Sequence, residues 1–214
     1  MKLLEIIDTK IDYGSEKEFP VKSSKIGSGE YSDVYPNDEW SVDKLMLNKD
    51  HKKVPLDPYS FYIDYLIKHK ISGSNPFFPR IYNIHKLTKD CEDPKLCQYS
   101  YQIEKLFHLS KLGMKSIQSV MNNIGISFNS TNKNLLINNF VFTINLVIDG
   151  VYDGEPINNE KFLEAISILK KIMNKYNTNH ENMQWDIHAN NLMVRLGPTG
   201  GQLVFTDPFS YHEQ

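Results

Sequence analysis

Three separated stretches of the chain carry residues whose types and spacing fit chemistry on a phosphate. In Trp185-Asp186-Ile187-His188-Ala189-Asn190-Asn191, a carboxylate and a carboxamide stand five residues apart in a loop. Asp207 follows a second short strand. A hairpin with strands at Leu192 to Val194 and Leu203 to Phe205 would make Asn191 and Asp207 neighbours, with Asp186 nearby. A carboxamide oxygen and a carboxylate facing one pocket suit a hard cation such as Mg2+. The remaining carboxylate, Asp186, can orient an attacking hydroxyl or accept its proton. His188 belongs to the same loop, either as a hydrogen-bonded structural histidine or in contact with a transferred group.

The second stretch is Ile26-Gly27-Ser28-Gly29-Glu30-Tyr31-Ser32-Asp33-Val34-Tyr35. Glycines at this spacing let a strand-turn-strand backbone approach phosphates closely. A lone GxG is equally an ordinary hairpin turn. A dinucleotide-binding loop would want a helix next and a third glycine, and here a strand pattern follows and Ser32 takes that glycine's place. The lysine of a P-loop is also missing. The third stretch is Trp40 to Leu47, a strand pattern carrying Lys44. A strand lysine is ordinarily solvated. Beside a phosphate-cradling loop, its ammonium could reach a bound nucleotide.

The elements that must position these residues divide the chain in two. The first hundred residues read as strand, strand, strand, helix, strand, strand. The strand patterns are Val21 to Ile26, Tyr31 to Tyr35, Trp40 to Leu47, Arg80 to Lys86 and Tyr99 to Leu106. Asp57-Pro58 reads as an N-cap followed by proline at the first helical position. The helix after it, Tyr59 to Lys70, would put Phe61, Tyr65 and Ile67 or Lys68 near one side. The second half reads as helical. Lys111 to Asn123 has Leu112, Ile117, Val120 and Met121 in usable positions. Asn138 to Ile148 is an apolar element of undecided type, broken by Thr143 and Asn145. Asn158 or Asn159 can cap a helix to about Tyr176, where Phe162, Ile166, Leu169, Met173 and Tyr176 share a face.

Composition narrows the function classes. Lys and Arg number 24 against 26 Asp and Glu, a formal charge of -2, so nothing global favours nucleic acid or an acidic membrane. The two cysteines, Cys91 and Cys97, exclude a disulfide-dense scaffold and a four-thiolate metal cage. The first 14 residues contain Glu5 and Asp8 and read as neither signal peptide nor membrane span. The expectation is a soluble cytoplasmic protein with reduced thiols.

Taken in order, the glycine loop, strand lysine, DxxxxN loop and late aspartate resemble the protein-kinase-like fold. Within it the chain is most similar to the short early serine/threonine protein kinases of T-odd coliphages. That family also has a serine at the third loop-glycine position, a D-x-H-x-x-N loop and T-D-P in place of D-F-G. The matching positions are Gly27, Gly29, Ser32, Lys44, Asp186, His188, Asn191 and Asp207. The resemblance implies an α+β, bilobal fold, with a strand-rich N-lobe over residues 1–106 and an abbreviated helical C-lobe over 107–214. It implies ATP and Mg2+ as cofactors. Gly27, Ser28, Gly29 and Ser32 would cover the ATP phosphates and Lys44 would hold them. Val34 would pack on adenine, and backbone groups from Glu104 to Leu106 would read its edge. Asp186 would be the catalytic aspartate, with Asn191 and Asp207 as metal ligands.

The resemblance further implies a kinase acting on host proteins in the host cytoplasm; the charge balance and the lack of a long apolar run give the expectation of no nucleic acid and no membrane. Self-association is left open. Trp185 replaces the usual catalytic-loop arginine, so pairing with a phosphorylated activation loop is not expected. Asp64 is the candidate partner of Lys44. Seven residues, Pro208 to Gln214, follow Asp207. If that is the whole gene product, acceptor contacts must come from the helical stretch, a partner or a second copy. Two other functions compete. One is a pseudokinase or nucleotide-binding module that blocks a host protein by contact, and the other is a small-molecule kinase.

Overall fold

The computed structural model describes residues 24–28, 32–46, 58–86, 99–177, 183–198 and 200–211. Gly29, Asp57, Cys91 and Cys97 lie outside them. The described residues form a mixed α and β fold with four α-helices and form two compact units. One unit holds residues 24–28, 32–46, 80–86 and 99–105, and the other holds 58–79 and everything described from 106 onward.

The first unit is one antiparallel sheet in the order β1-β2-β3-β5-β4. Its strands are β1 (Gly27–Ser28), β2 (Ser32–Pro36), β3 (Ser41–Met46), β4 (Ile81–Lys86) and β5 (Tyr99–Glu104). The expected strand over Val21 to Ile26 is displaced. Residues 24–26 are not strand, residues 21–23 lie outside the described part, and pairing begins at Gly27 opposite Val34. The turn joining β2 to β3 is held by Asp38, whose Oδ1 accepts the Trp40 and Ser41 N–H groups at 2.7 Å each. These bonds hold the Asp38 carboxyl below its usual range, the Trp40 N–H contributing most.

The second unit contains α1 (Pro58–Lys68), α2 (Met114–Asn123), α3 (Lys133–Asp149) and α4 (Glu160–Tyr176). It also contains β6 (Phe107–His108), β7 (Met183–Trp185), β8 (Leu192–Gly197), β9 (Gly200–Phe205) and β10 (Phe209–Tyr211). Strands β6, β8 and β9 form one sheet, and β7 pairs with β10. The undecided stretch is helix α3, extended at both ends. Asn132 Oδ1 accepts the Leu135 N–H at 3.1 Å, and Gly150 ends the helix at φ 77°. Asn159 caps α4 by accepting the Phe162 N–H at 2.9 Å.

Helix α1 departs from expectation twice. Its buried residues Tyr59, Tyr62, Ile63 and Leu66 follow an i, i+3, i+4, i+7 pattern, and of the expected Phe61 side only Tyr65 is buried with them. Phe61 stacks instead on Tyr176 at 4.5 Å between ring centroids. The helix also belongs to the second unit, so one cut after Leu106 does not describe the chain. The reason is packing. Tyr62 lies 6.2 Å from Phe78 and 6.0 Å from Phe209, and its hydroxyl donates to the Phe205 carbonyl. No described helix is long and apolar enough to cross a membrane.

Candidate active site

The first unit positions the lysine by strand register. Gly27 pairs with Val34, Val34 with Lys44, Lys44 with Tyr101, and Tyr101 with Ile84. Directly opposed residues share a sheet face, so this row crosses the whole sheet on one side. A Cβ built on Gly27 would lie 3.5 Å from the Val34 Cβ, so the glycine leaves β1 without a side chain beside Val34. Lys44 is buried, at 8 % exposure, as is Ser32 at 7 %. Burying an ammonium is costly, so Lys44 departs from the ordinary, solvated strand lysine.

The base of the glycine hairpin is clipped on its other face. Ser28 Oγ donates to Asp33 Oδ1 at 2.9 Å, and Lys25 Nζ pairs with the same oxygen at 3.0 Å. At the far end of β5, the Glu104 N–H donates to the Arg80 carbonyl at 3.0 Å, and the Lys105 N–H to the Trp40 carbonyl at 2.8 Å. Those two N–H groups are therefore not available to an adenine edge. Glu104 is itself buried, and its Oε1 accepts the Arg80 N–H at 2.9 Å.

In the second unit two strand ladders converge on one loop. Trp185 pairs with Phe209, and one step further the Asp186 N–H donates to the Pro208 carbonyl at 2.9 Å. Leu192 pairs with Phe205, and one step further the Thr206 N–H donates to the Asn191 carbonyl at 3.2 Å. Thr206 Oγ1 donates to that same carbonyl at 3.1 Å. Asp207 sits between these two attachments, its neighbours bonded to Asn191 on one side and to Asp186 on the other. The hairpin argument made from sequence thus holds for Asp186, Asn191 and Asp207.

The side chains within the loop are ordered by one another. Asn191 Nδ2 donates to the Asp186 carbonyl at 2.9 Å and to Asp186 Oδ2 at 3.0 Å. Both partners are acceptors, which assigns the nitrogen to that side and turns Oδ1 the other way. His188 Nε2 lies 3.3 Å from Asp186 Oδ1. The loop backbone closes as the Asn191 and Leu192 N–H groups donate to the His188 carbonyl at 3.0 and 3.2 Å.

One contributor escaped the sequence reading. Asn145, on α3, donates through Nδ2 to the Ile187 carbonyl at 3.2 Å, between Asp186 and His188. The available signal was a carboxamide interrupting an otherwise apolar helix. Trp185 packs on Phe209 with ring centroids 5.3 Å apart. Asp64, expected from sequence as a candidate partner of Lys44, pairs with Lys68 on its own helix at 2.8 Å.

Among the described residues no group of three or more His, Cys, Asp or Glu side chains is placed to hold a metal ion. The Asn191 Oδ1 and the Asp207 carboxylate are hard oxygen donors. They fit a small dication that takes its remaining ligands from phosphate and water.

No family model matches the chain, and no curated protein sequence matches it. Among solved structures, 30 chains match. One of them comes from a streptomycin–ATP–APH(2")-IIa ternary complex. It is 14% identical with a TM-score of 0.33, over 90% of this chain and 67% of that one.

Proposed function

We propose that the chain is an ATP- and Mg2+-dependent phosphotransferase, with a protein serine or threonine hydroxyl as acceptor. The observation that carries this reading is the convergence of Asp186, Asn191 and Asp207 on one hydrogen-bonded loop. Phosphoryl transfer needs positioning and charge neutralisation more than covalent help from the protein. Asn191 and Asp207 would hold Mg2+, which when bound neutralises phosphate charge. Asp186 would orient the acceptor hydroxyl and take its proton. Lys44 and Gly27, in one register row of the first unit, would supply a cation and a backbone position without a side chain for phosphates. Val34, in the same row, supplies an apolar surface for a base. The adenine edge would be read by carbonyls of the Glu104 to Leu106 stretch and the Leu106 N–H. A bacterial host protein is the proposed acceptor, as the resemblance to phage kinases implies.

The test is incubation of the purified chain with γ-labelled ATP and Mg2+, with and without bacterial lysate. Asp186→Ala and Asp207→Ala serve as controls. Label in protein bands that disappears in both controls is the expected result. Label that persists in Asp207→Ala would overturn the metal assignment. Nucleotide binding without any transfer would make the chain a binding module acting by contact, and label confined to small molecules would move the acceptor class.

A further inference from the structure

We propose that His188 is a positioning residue that aims Asp186 through its Nε2–H and does not itself contact the transferred group. The inference rests on the phosphotransfer reading above and assigns this residue its task within it. Both imidazole nitrogens are engaged inside the loop. Nδ1 accepts the Asn190 backbone N–H at 3.2 Å. A ring nitrogen that accepts carries no proton, so the neutral imidazole keeps its proton on Nε2. Nε2 lies 3.3 Å from Asp186 Oδ1. The backbone amide of Asn190 therefore selects the tautomer that donates toward the carboxylate.

Asp186 is then held from two sides. His188 faces Oδ1, and Asn191 donates to Oδ2 at 3.0 Å. Turning the carboxylate about its last bond would disrupt both. A base acting on an incoming hydroxyl works only when its lone pair is aimed, and a displacement of about 1 Å can cost ~100-fold in rate. The His188 side chain is 47% exposed, so it is no core-filling residue. Removing it takes away a donor without opening a buried cavity.

The test compares His188→Ala, His188→Gln and His188→Asn with the parent and with Asp186→Ala. Glutamine offers an N–H donor near the place of the imidazole Nε2. Asparagine can accept the Asn190 N–H but offers no donor toward Asp186. With MgATP as the probe, His188→Ala and His188→Asn should lower kcat about 10- to 100-fold with KM for ATP unchanged. His188→Gln should recover most of that loss. Thermal unfolding midpoints should stay together. Glutamine no better than asparagine, a change confined to KM, or parent-like rates in His188→Ala would each overturn the assignment.

A readout independent of turnover accompanies it. Nitrogen-15 NMR of the imidazole should find Nε2 protonated and Nδ1 unprotonated in the neutral ring, and the opposite tautomer would overturn the proposal. A parent that binds ATP without transferring phosphate, or an Asp186→Ala variant with parent rates, would sink the phosphotransfer reading instead. The tautomer result would still decide how His188 and Asp186 are paired.

Discussion

Replacing Asn145 by leucine tests whether helix α3 holds the loop that carries Asp186 and His188. The two side chains are close in size, so the change mainly removes the Nδ2 donor. That donor serves the Val141 carbonyl at 3.0 Å and the Ile187 carbonyl at 3.2 Å. The Val141 carbonyl lies one turn back in the helix and keeps its ladder bond. The Ile187 carbonyl loses a partner in a residue that is only 7% exposed. Leaving a buried acceptor without its partner costs about 1–3 kcal/mol. The 3.2 Å distance and the half-buried setting of Asn145 favour the lower half of that range. For a protein of this size about 1–2 kcal/mol lowers the unfolding midpoint by roughly 2–8 °C. The same loosening reaches Asp186 and His188, which flank Ile187, so kcat should fall about tenfold while KM for ATP holds. Differential scanning calorimetry and steady-state ATP turnover on the same preparation measure both. An unchanged midpoint together with an unchanged kcat would refute the claim that α3 steadies the loop.

Two further outcomes follow from other contacts. Tyr62→Phe keeps the ring against Phe78 and Phe209 but removes the donor to the Phe205 carbonyl. It should cost about 1–3 kcal/mol in denaturant unfolding, and an unchanged midpoint would show that bond to be dispensable. Burial, assisted by the charge of Asp64, raises the Tyr176 hydroxyl above its usual pKa of 10.0. A raised folded-state pKa stabilises the fold fully below the unfolded value, and that stability is lost as pH rises through the folded value. Stability should therefore fall above pH ~10, less steeply in Tyr176→Phe. Parallel curves for the two proteins would contradict this.

Local signals made several parts of the fold legible in advance. The turn residues Pro36 to Asp38 marked the boundary between β2 and β3, although β3 is buried at five of its six positions and so carries no one-sided alternation. Helix α4 was readable from a cap at Asn158 or Asn159, which the structure gives to Asn159, and from Phe162, Ile166, Leu169 and Met173 on one face. The Leu192 to Phe205 hairpin was readable too, which is why Asn191 and Asp207 could be joined before any coordinates. Helix α1 was harder. It carries tyrosines and phenylalanine on several faces, so periodicity alone does not choose which side meets the core. Helix α3 was undecided because Asn and Thr interrupt its apolar run.

The residue types for the proposed chemistry, and their order along the chain, were determined by sequence alone: the glycine pair, Lys44, Asp186, Asn191 and Asp207. Tertiary structure decided the surroundings of those the structure describes. It buried Lys44 in a register row with Gly27 and Val34, and brought Asn145 from a distant helix to the Ile187 carbonyl. It also gave α1 to the second unit through Tyr62. The physical reason is the range of the forces involved. Capping, alternation and turn chemistry act over a few residues and leave their mark in the sequence. A hydrogen bond between residues 42 apart, or an aromatic contact between a helix and a late strand, depends on how the whole unit closes.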